Sequence, residues 1–139
     1  MKRKLYNITL KKEHSQLDKK FLEALKHEGP ATIVTFNATP AGVVNTWMSY
    51  IMLDEENNLM YIPAAGMHSI EDDFTTDNHI VITVGSKDVI GTVGPGAGFY
   101  VYGLGTFITT GPAYEKMKKS FPWIRKCLRV DIDHIEQKI

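Results

Sequence analysis

Hydrophobic residues recur at helical spacing in some segments of the chain and in strand-like runs in others. After an arm at residues 1–14, where charged residues separate isolated apolar ones, Leu17, Phe21 and Leu25 recur every four positions. This spacing predicts a helix over 16–27 with Ser15 as its N-cap. Segments rich in β-branched and aromatic residues predict six strands, at 31–37, 43–53, 59–63, 79–85, 99–110 and 128–132. Short helices are expected at 69–76 and 112–120, and a glycine-rich loop at 91–98.

The connections between most of these strands are short and polar, which favours antiparallel pairing. Closing an antiparallel sheet into a barrel removes its exposed edges. Residues 15–139 are therefore expected to form one mainly β (α+β) domain, a six-stranded antiparallel barrel with short flanking helices. Because a barrel of this size fills its interior with its own side chains, a large ligand is expected outside the barrel or between subunits.

The amino-acid composition reduces the number of function classes that the protein could belong to. The 139 residues include 16 Lys+Arg and 16 Asp+Glu, so the net charge is zero and a nucleic-acid partner is not expected. The one cysteine, Cys127, cannot form an internal disulfide, and no apolar run approaches the roughly 18 residues of a membrane span. We therefore expect a cytoplasmic protein without a membrane partner.

The sequence lacks the common catalytic motifs but contains one strand of unusual composition. The sequence has no zinc-type His and Cys spacing, no Gly-x-Ser-x-Gly motif and no Walker loop, so neither a metal site nor a catalytic set is expected. Residues 44–50 (Val-Asn-Thr-Trp-Met-Ser-Tyr) instead combine two aromatic rings with an amide and two aliphatic hydroxyl groups. That surface suits a planar, hydrogen-bonding ligand, although an ordinary strand with a buried tryptophan has the same composition.

Four segments carry a resemblance to a known family: 44–50, 62–68 (Ile-Pro-Ala-Ala-Gly-Met-His), 84–91 (Val-Gly-Ser-Lys-Asp-Val-Ile-Gly) and 94–99 (Gly-Pro-Gly-Ala-Gly-Phe). In this order, and with Gly111-Pro112 and Phe-x-Trp at 121–123, they resemble the small FMN-binding proteins of the pyridoxamine 5′-phosphate oxidase-like split-barrel family. The resemblance runs from about residue 21 to residue 139. It implies a homodimeric split barrel with FMN as cofactor, working as an electron carrier or a flavin-dependent oxidoreductase whose electron donor or acceptor is unknown.

The resemblance also implies which residues would contact the cofactor. The ring-binding strand would be Asn45, Thr46, Trp47, Met48, Ser49 and Tyr50. The ring or the ribityl chain would pass along Ala65, Gly66 and Met67, and the phosphate would lie at His68, Ser69 and Ile70. Trp123 would lie beside the ring, with Glu28 close by and Ile139 of the partner subunit reaching the same site.

Three positions depart from the family pattern. Ser69 stands where the family has its phosphate-binding lysine, Ile70 replaces a threonine, and Met48 replaces an asparagine of the ring-binding strand. A charge-assisted contact contributes about 1.5–3 kcal/mol, which is about tenfold to a hundredfold in affinity. The acidic run at 71–73 is expected to repel a phosphate, whereas the Ser69 hydroxyl and a protonated His68 are expected to attract one.

Two other interpretations follow from these departures. One is a cofactor-poor split-barrel binding protein that keeps the barrel and the dimer but has a degraded phosphate site. The other is a heme-handling split barrel with His68 as the candidate ligand.

Overall fold

The computed structural model describes residues 17–139. The helices are α1 (Lys19–Ala24), α2 (His68–Asp73) and α3 (Pro112–Ser120). The strands are β1 (Pro30–Thr35), β2 (Val43–Trp47), β3 (Met52–Asp54), β4 (Leu59–Ala64), β5 (His79–Ile90), β6 (Pro95–Ile108) and β7 (Lys126–Gln137). The predicted arm at residues 1–14 and the predicted Ser15 cap lie outside the described residues.

The strands form one antiparallel sheet with the order β2-β1-β5-β6-β7-β4-β3. Its two edge strands, β2 and β3, are consecutive along the chain and are joined by four residues, 48–51. Because so short a connection cannot cross a flat seven-stranded sheet, the sheet must curl until its edges approach each other. The predicted mainly β split barrel is therefore confirmed, and its opening lies where the chain passes from β2 to β3.

The sheet has seven strands in residues 17–139, so the prediction of six was wrong. The predicted strand 43–53 is interrupted by a single 3₁₀ turn at Met48–Tyr50. The Met48 N–H donates to the Gly29 carbonyl (2.8 Å) and the Ile51 N–H donates to the Met48 carbonyl (3.1 Å). These two bonds turn the chain from one edge of the sheet to the other, which the residue pattern of the segment does not signal.

Element boundaries differ from the predictions at several places, and three of these differences have a visible structural cause. α1 begins at Lys19 because Asp18 caps it, its carboxylate accepting from the N–H groups of Lys20 (2.7 Å) and Phe21 (3.1 Å). The predicted loop at 91–98 is shorter, since β6 already begins at Pro95 and Gly98 pairs with Gly85 of β5. A glycine fits there because a side chain at Gly98 would collide with the Ile139 side chain at 2.8 Å. The last strand is longer than 128–132 because its backbone keeps pairing with β6 as far as Gln137.

The interior of the barrel is filled by the protein's own side chains. The main core draws buried apolar residues from α1, α2, the 3₁₀ turn and strands β1, β4, β5, β6 and β7, the largest being Phe21, Phe99, Ile33, Met48, Met60, Ile62, Ile70, Ile80, Ile82 and Leu128. A second cluster of Met117, Ile124 and Cys127 packs α3 onto the outside of β4 and β7. A ligand of flavin size is therefore confined to the outer surface, as the sequence predicted.

No helix within residues 17–139 has the length and apolar character needed to cross a membrane.

Candidate functional site

The edge strand β2 and the turn after it divide the six residues of the expected ring-binding strand between two faces. Asn45, Trp47 and Ser49 are exposed, whereas Thr46 and Met48 are buried. In β2 this alternation follows from the period of two in a strand, which turns successive side chains to opposite faces, and in the 3₁₀ turn after it Met48 enters the core while Ser49 stays exposed. Within residues 17–139, β2 pairs only with β1, so on its other side half of its backbone N–H and C=O groups have no partner strand in this part of the chain.

Glu28 lies beside the outward residues of this edge. Its carboxylate accepts hydrogen bonds from the Ser49 hydroxyl (2.8 Å) and from the Gly29 N–H (2.9 Å). The hydrogen bond from Ser49 first, and that from Gly29 second, lower the pKa of Glu28 below its usual value of 4.5. The structure thus brings Glu28 and Ser49 together and places an anionic oxygen pair at the edge of β2.

Trp123 packs against the end of the same segment. Its ring centroid is 5.8 Å from that of Tyr50 and 5.6 Å from that of Phe121, and Tyr50 and Phe121 are themselves 4.9 Å apart. Trp47 and Trp123 keep 49% and 50% of their surfaces exposed, an unusual exposure for tryptophan. Phe121 was not among the predicted site residues, and its place in the Phe-x-Trp motif was the only signal for it.

The loop after β4 presents only some of its residues to solvent. Ala65 is exposed, and Met67, with a left-handed φ of 62°, turns the chain into α2. The side chains of Met67 and Ile70 enter the core, while His68 and Ser69 are exposed. Of the residues expected near a phosphate, His68 and Ser69 are therefore the two whose side chains face solvent.

Arg125 and Lys126 bring two cations to this loop, and neither was among the residues predicted for the site. The Arg125 guanidinium donates to the Gly66 carbonyl (2.8 Å) and the Ala65 carbonyl (3.2 Å), and also to the Glu71 carboxylate (2.8 Å). The other Glu71 oxygen accepts from the Lys126 ammonium group. These bonds, that from Lys126 contributing most, lower the pKa of Glu71 from 4.5 to about 2. No local pattern could have found this cluster, because 54 residues separate Arg125 from Glu71.

The acidic run at 71–73 does not form the negative patch that the sequence predicted. Glu71 is neutralised by two cations, and Asp73 accepts from the Thr35 hydroxyl (2.7 Å) and the Gly42 N–H (3.1 Å) at the turn between β1 and β2. Asp72 alone stays exposed. The three carboxylates therefore differ in their surroundings, and Arg125 and Lys126 together carry one charge more than the Glu71 carboxylate that they bind.

Ile139 is not brought to the β2 edge of its own subunit. Its carbonyl accepts from the Gly98 N–H (3.1 Å) beside β6, so β6, β5 and β1 stand between it and β2. Its side chain is 58% exposed and lies along a groove of about 510 Å³ between β5 and β6. Within one chain the expected site thus gathers Glu28, Ser49, Tyr50 and Trp123, and leaves Ile139 apart.

Solved structures share this fold at low sequence identity. An FMN-binding protein from Syntrophomonas wolfei subsp. wolfei superposes with a TM-score of 0.65 at 14% identity, over 99% of this chain and 94% of its own. A candidate pyridoxamine 5′-phosphate oxidase from Listeria innocua superposes with a TM-score of 0.61 at 12% identity, over 89% of this chain and 97% of its own. The class of protein is therefore that of the split β-barrels.

Sequence similarity identifies the family within this class. No protein-family model matches the sequence. A protein from Nitratidesulfovibrio vulgaris (strain DSM 19637 / Miyazaki F), named FMN-binding protein, is 36% identical over 119 residues, which are 86% of this chain and 96% of that protein. The chain belongs to the family of small FMN-binding proteins with a pyridoxamine 5′-phosphate oxidase-like split barrel.

Proposed function

We propose that this chain is a flavoprotein that binds FMN at the β2 edge and works as an electron carrier or a flavin-dependent oxidoreductase. The observation that carries the proposal is the grouping, at the end of β2 and in the turn after it, of exposed Trp47, the Ser49–Glu28 hydrogen bond and the ring contact of Tyr50 with Trp123, in a chain that is 36% identical to an FMN-binding protein. The inner barrel is filled by the protein's own side chains, which supports a cofactor site on the outer surface, such as this edge.

The residues present at the edge fit a flavin. A flavin ring needs hydrogen-bonding groups along its edge and apolar surfaces against its faces. Asn45 on β2 and Ser49 in the turn after it offer hydrogen-bonding groups, and the half-exposed rings of Trp47 and Trp123 offer apolar surfaces. The cofactor would supply the redox chemistry when bound, which accounts for the lack of a classical catalytic set in the sequence.

The chain's own residues would orient the ring and set its electrostatic surroundings. Thr46 and Met48 point inward and fix the direction of Trp47, which lies between them. The Glu28 carboxylate, held by Ser49 and Gly29, places negative charge beside the ring. This charge disfavours an anionic reduced flavin and so lowers its reduction potential.

A homodimer would complete this site. Among the exposed apolar residues, Ile90, Val93 and Ile139 form one group at the β5–β6 end of the molecule, and Val43 and Trp47 form another on β2. A twofold axis would bring each patch onto the other patch of the second copy, and Ile139 of the partner subunit would then cover the flavin. Light scattering at micromolar concentration tests this arrangement, and a monomer would contradict it.

Charge and thiol chemistry support the expected surroundings of the protein. The net charge of zero gives no attraction to nucleic acid, and the buried thiol of Cys127, whose pKa is raised by burial to about 11, suits the reducing cytoplasm. The electron donor or acceptor is a separate partner that the chain does not identify.

The visible spectrum of the purified protein tests the proposed function directly. The protein is purified without added cofactor, incubated with excess FMN and passed through a gel-filtration column. Flavin absorption that stays with the protein peak is the expected result. A colourless protein would contradict the proposal and favour the cofactor-poor barrel, and a Soret band after addition of heme would favour the heme-handling alternative through His68.

A further inference from the structure

We propose that Arg125 and Lys126 hold the 5′-phosphate of the flavin and so replace the family lysine that is absent at position 69. The Glu71 carboxylate binds the same two cations and therefore competes with the phosphate. The assignment rests on the proposed FMN site. It names a pair of binding residues at the start of β7 and the preceding loop, outside the segments that carry the family resemblance.

The position of Arg125 ties it to the loop along which the cofactor would run. Its backbone N–H donates to the Ala64 carbonyl (2.8 Å), and its side chain donates to the carbonyl groups of Ala65 and Gly66. Two residues earlier, Trp123 packs against Tyr50. One short segment therefore connects the aromatic part of the site with the loop after β4, which is the arrangement that a ligand with a ring at one end and a phosphate at the other requires.

Both cations retain donors for an additional anion. A guanidinium group has five N–H donors and an ammonium group has three. Within residues 17–139 the Arg125 side chain uses Nε and Nη2, which leaves Nη1 without a contact, and Lys126 bonds only to Glu71. The side chains of Arg125 and Lys126 are 33% and 32% exposed, so an anion from solvent can reach them.

The charges favour a phosphate over a neutral group. Arg125 and Lys126 carry two positive charges against the single negative charge of Glu71. A phosphate monoester carries about −1.5 to −2 charges at neutral pH and accepts several charge-assisted hydrogen bonds. The carboxylate of Glu71 bonds to the same donor groups, so it competes with the phosphate and limits its affinity.

The test compares FMN with riboflavin, which has the same ring and no phosphate. Dissociation constants for both flavins are measured by fluorescence titration in the wild type, Arg125→Gln, Lys126→Gln and Glu71→Gln. Arg129→Gln is the matched control, because Arg129 lies on β7 with Lys126 and pairs with Asp131 instead of Glu71. Circular dichroism verifies that each variant is folded.

We expect Arg125→Gln and Lys126→Gln to weaken FMN binding by about tenfold to a hundredfold each, with riboflavin binding changed by less than twofold. Glu71→Gln should tighten FMN several-fold and leave riboflavin unchanged. Lys126→Gln and Glu71→Gln leave the bonds from Arg125 to the Ala65 and Gly66 carbonyl groups in place. If Arg125→Gln fails to fold, these two variants therefore test whether the cations hold the phosphate.

Equal weakening of FMN and riboflavin would overturn the assignment, since Arg125 would then only support the loop. An unchanged ratio of the two constants in every variant would also overturn it and place the phosphate elsewhere. A wild-type protein that binds neither flavin would overturn the proposed function itself. A wild type that binds both flavins with the same affinity would leave the flavin site standing and overturn only the assignment of the phosphate contact.

Discussion

Replacing Met48 with asparagine, the residue of the family pattern, is expected to destabilise the protein and not to add a hydrogen bond to the ligand. The Met48 side chain is 1% exposed and belongs to the main core. Its Cε lies 3.0 Å from the point where a Cβ on Gly29 would stand, so it packs directly on the backbone that precedes β1. An asparagine amide at this place would face apolar side chains.

The expected loss of stability has two parts. Burial of a methionine side chain contributes about 1.5–3 kcal/mol, and an amide buried without a partner costs about 1–3 kcal/mol. Met48→Asn should therefore lower the free energy of unfolding by about 3–5 kcal/mol. Domains are usually stable by about 5–15 kcal/mol, so the variant would lose a large part of its stability.

Urea denaturation at one fixed protein concentration measures this loss. Met48→Leu is the matched control, because it keeps an apolar side chain of similar volume and is expected to cost less than about 1.5 kcal/mol. A Met48→Asn variant that loses less than about 1 kcal/mol would refute the reasoning, since the amide would then have found a polar partner. Tighter FMN binding by that variant would show that the partner is the ligand.

Three further predictions concern charge. Ser69→Lys should tighten FMN at least tenfold in a fluorescence titration and the equally exposed Thr75→Lys should not, because position 69 is where the family pattern has its phosphate-binding lysine. Glu28→Gln should raise the midpoint potential of bound FMN, on the order of tens of millivolts, in a redox titration. An unchanged potential would place the ring away from Glu28. The Asp77 carboxylate accepts hydrogen bonds from the His79 N–H (2.8 Å) and from the Asn37 amide (2.7 Å), which lower its pKa from 3.8 to about 2. Since the pKa of Glu71 is likewise lowered from 4.5 to about 2, the contribution of both groups to stability is complete above pH 4.5 and is lost as the pH falls toward 2. As the pH is lowered across this range, the melting temperatures of Glu71→Gln and Asp77→Asn should fall less steeply than that of the wild type. Parallel curves for the variants and the wild type would contradict the assignment of this pH dependence to the two carboxylates.

The sequence could predict the parts of the fold that local patterns determine. Runs such as Ile80, Val81 and Ile82 predict a strand whatever surrounds them, and this segment is buried within β5. The interruption at Met48 could not be predicted, because the residues on both sides suit a strand. It depends on the hydrogen bond to Gly29, 19 positions earlier, and on the need to connect two edges of one sheet.

Like the fold, the candidate site has residues that the sequence could predict and residues that it could not. Asn45, Trp47 and Ser49 could be proposed because they are neighbours in a segment whose residue types suit a planar, hydrogen-bonding ligand. The pairing of Glu71 with Arg125 and Lys126 could not, since charged residues at such separation look like ordinary surface positions until the fold joins α2 to β7. The acidic run therefore suggested repulsion of a phosphate, whereas its first member is held by two cations.

The burial of Met48 also connects stability with binding. Met48 lies between Trp47 and Ser49, and its anchoring in the core turns these two neighbours toward solvent, where Ser49 reaches Glu28. Met48→Leu preserves this anchor, so its flavin affinity should equal that of the wild type. Met48→Asn releases the anchor at the opening of the barrel, so FMN and riboflavin should both bind more weakly and by the same factor. That common factor distinguishes loss of the ring site from loss of the phosphate contact, which would weaken FMN alone.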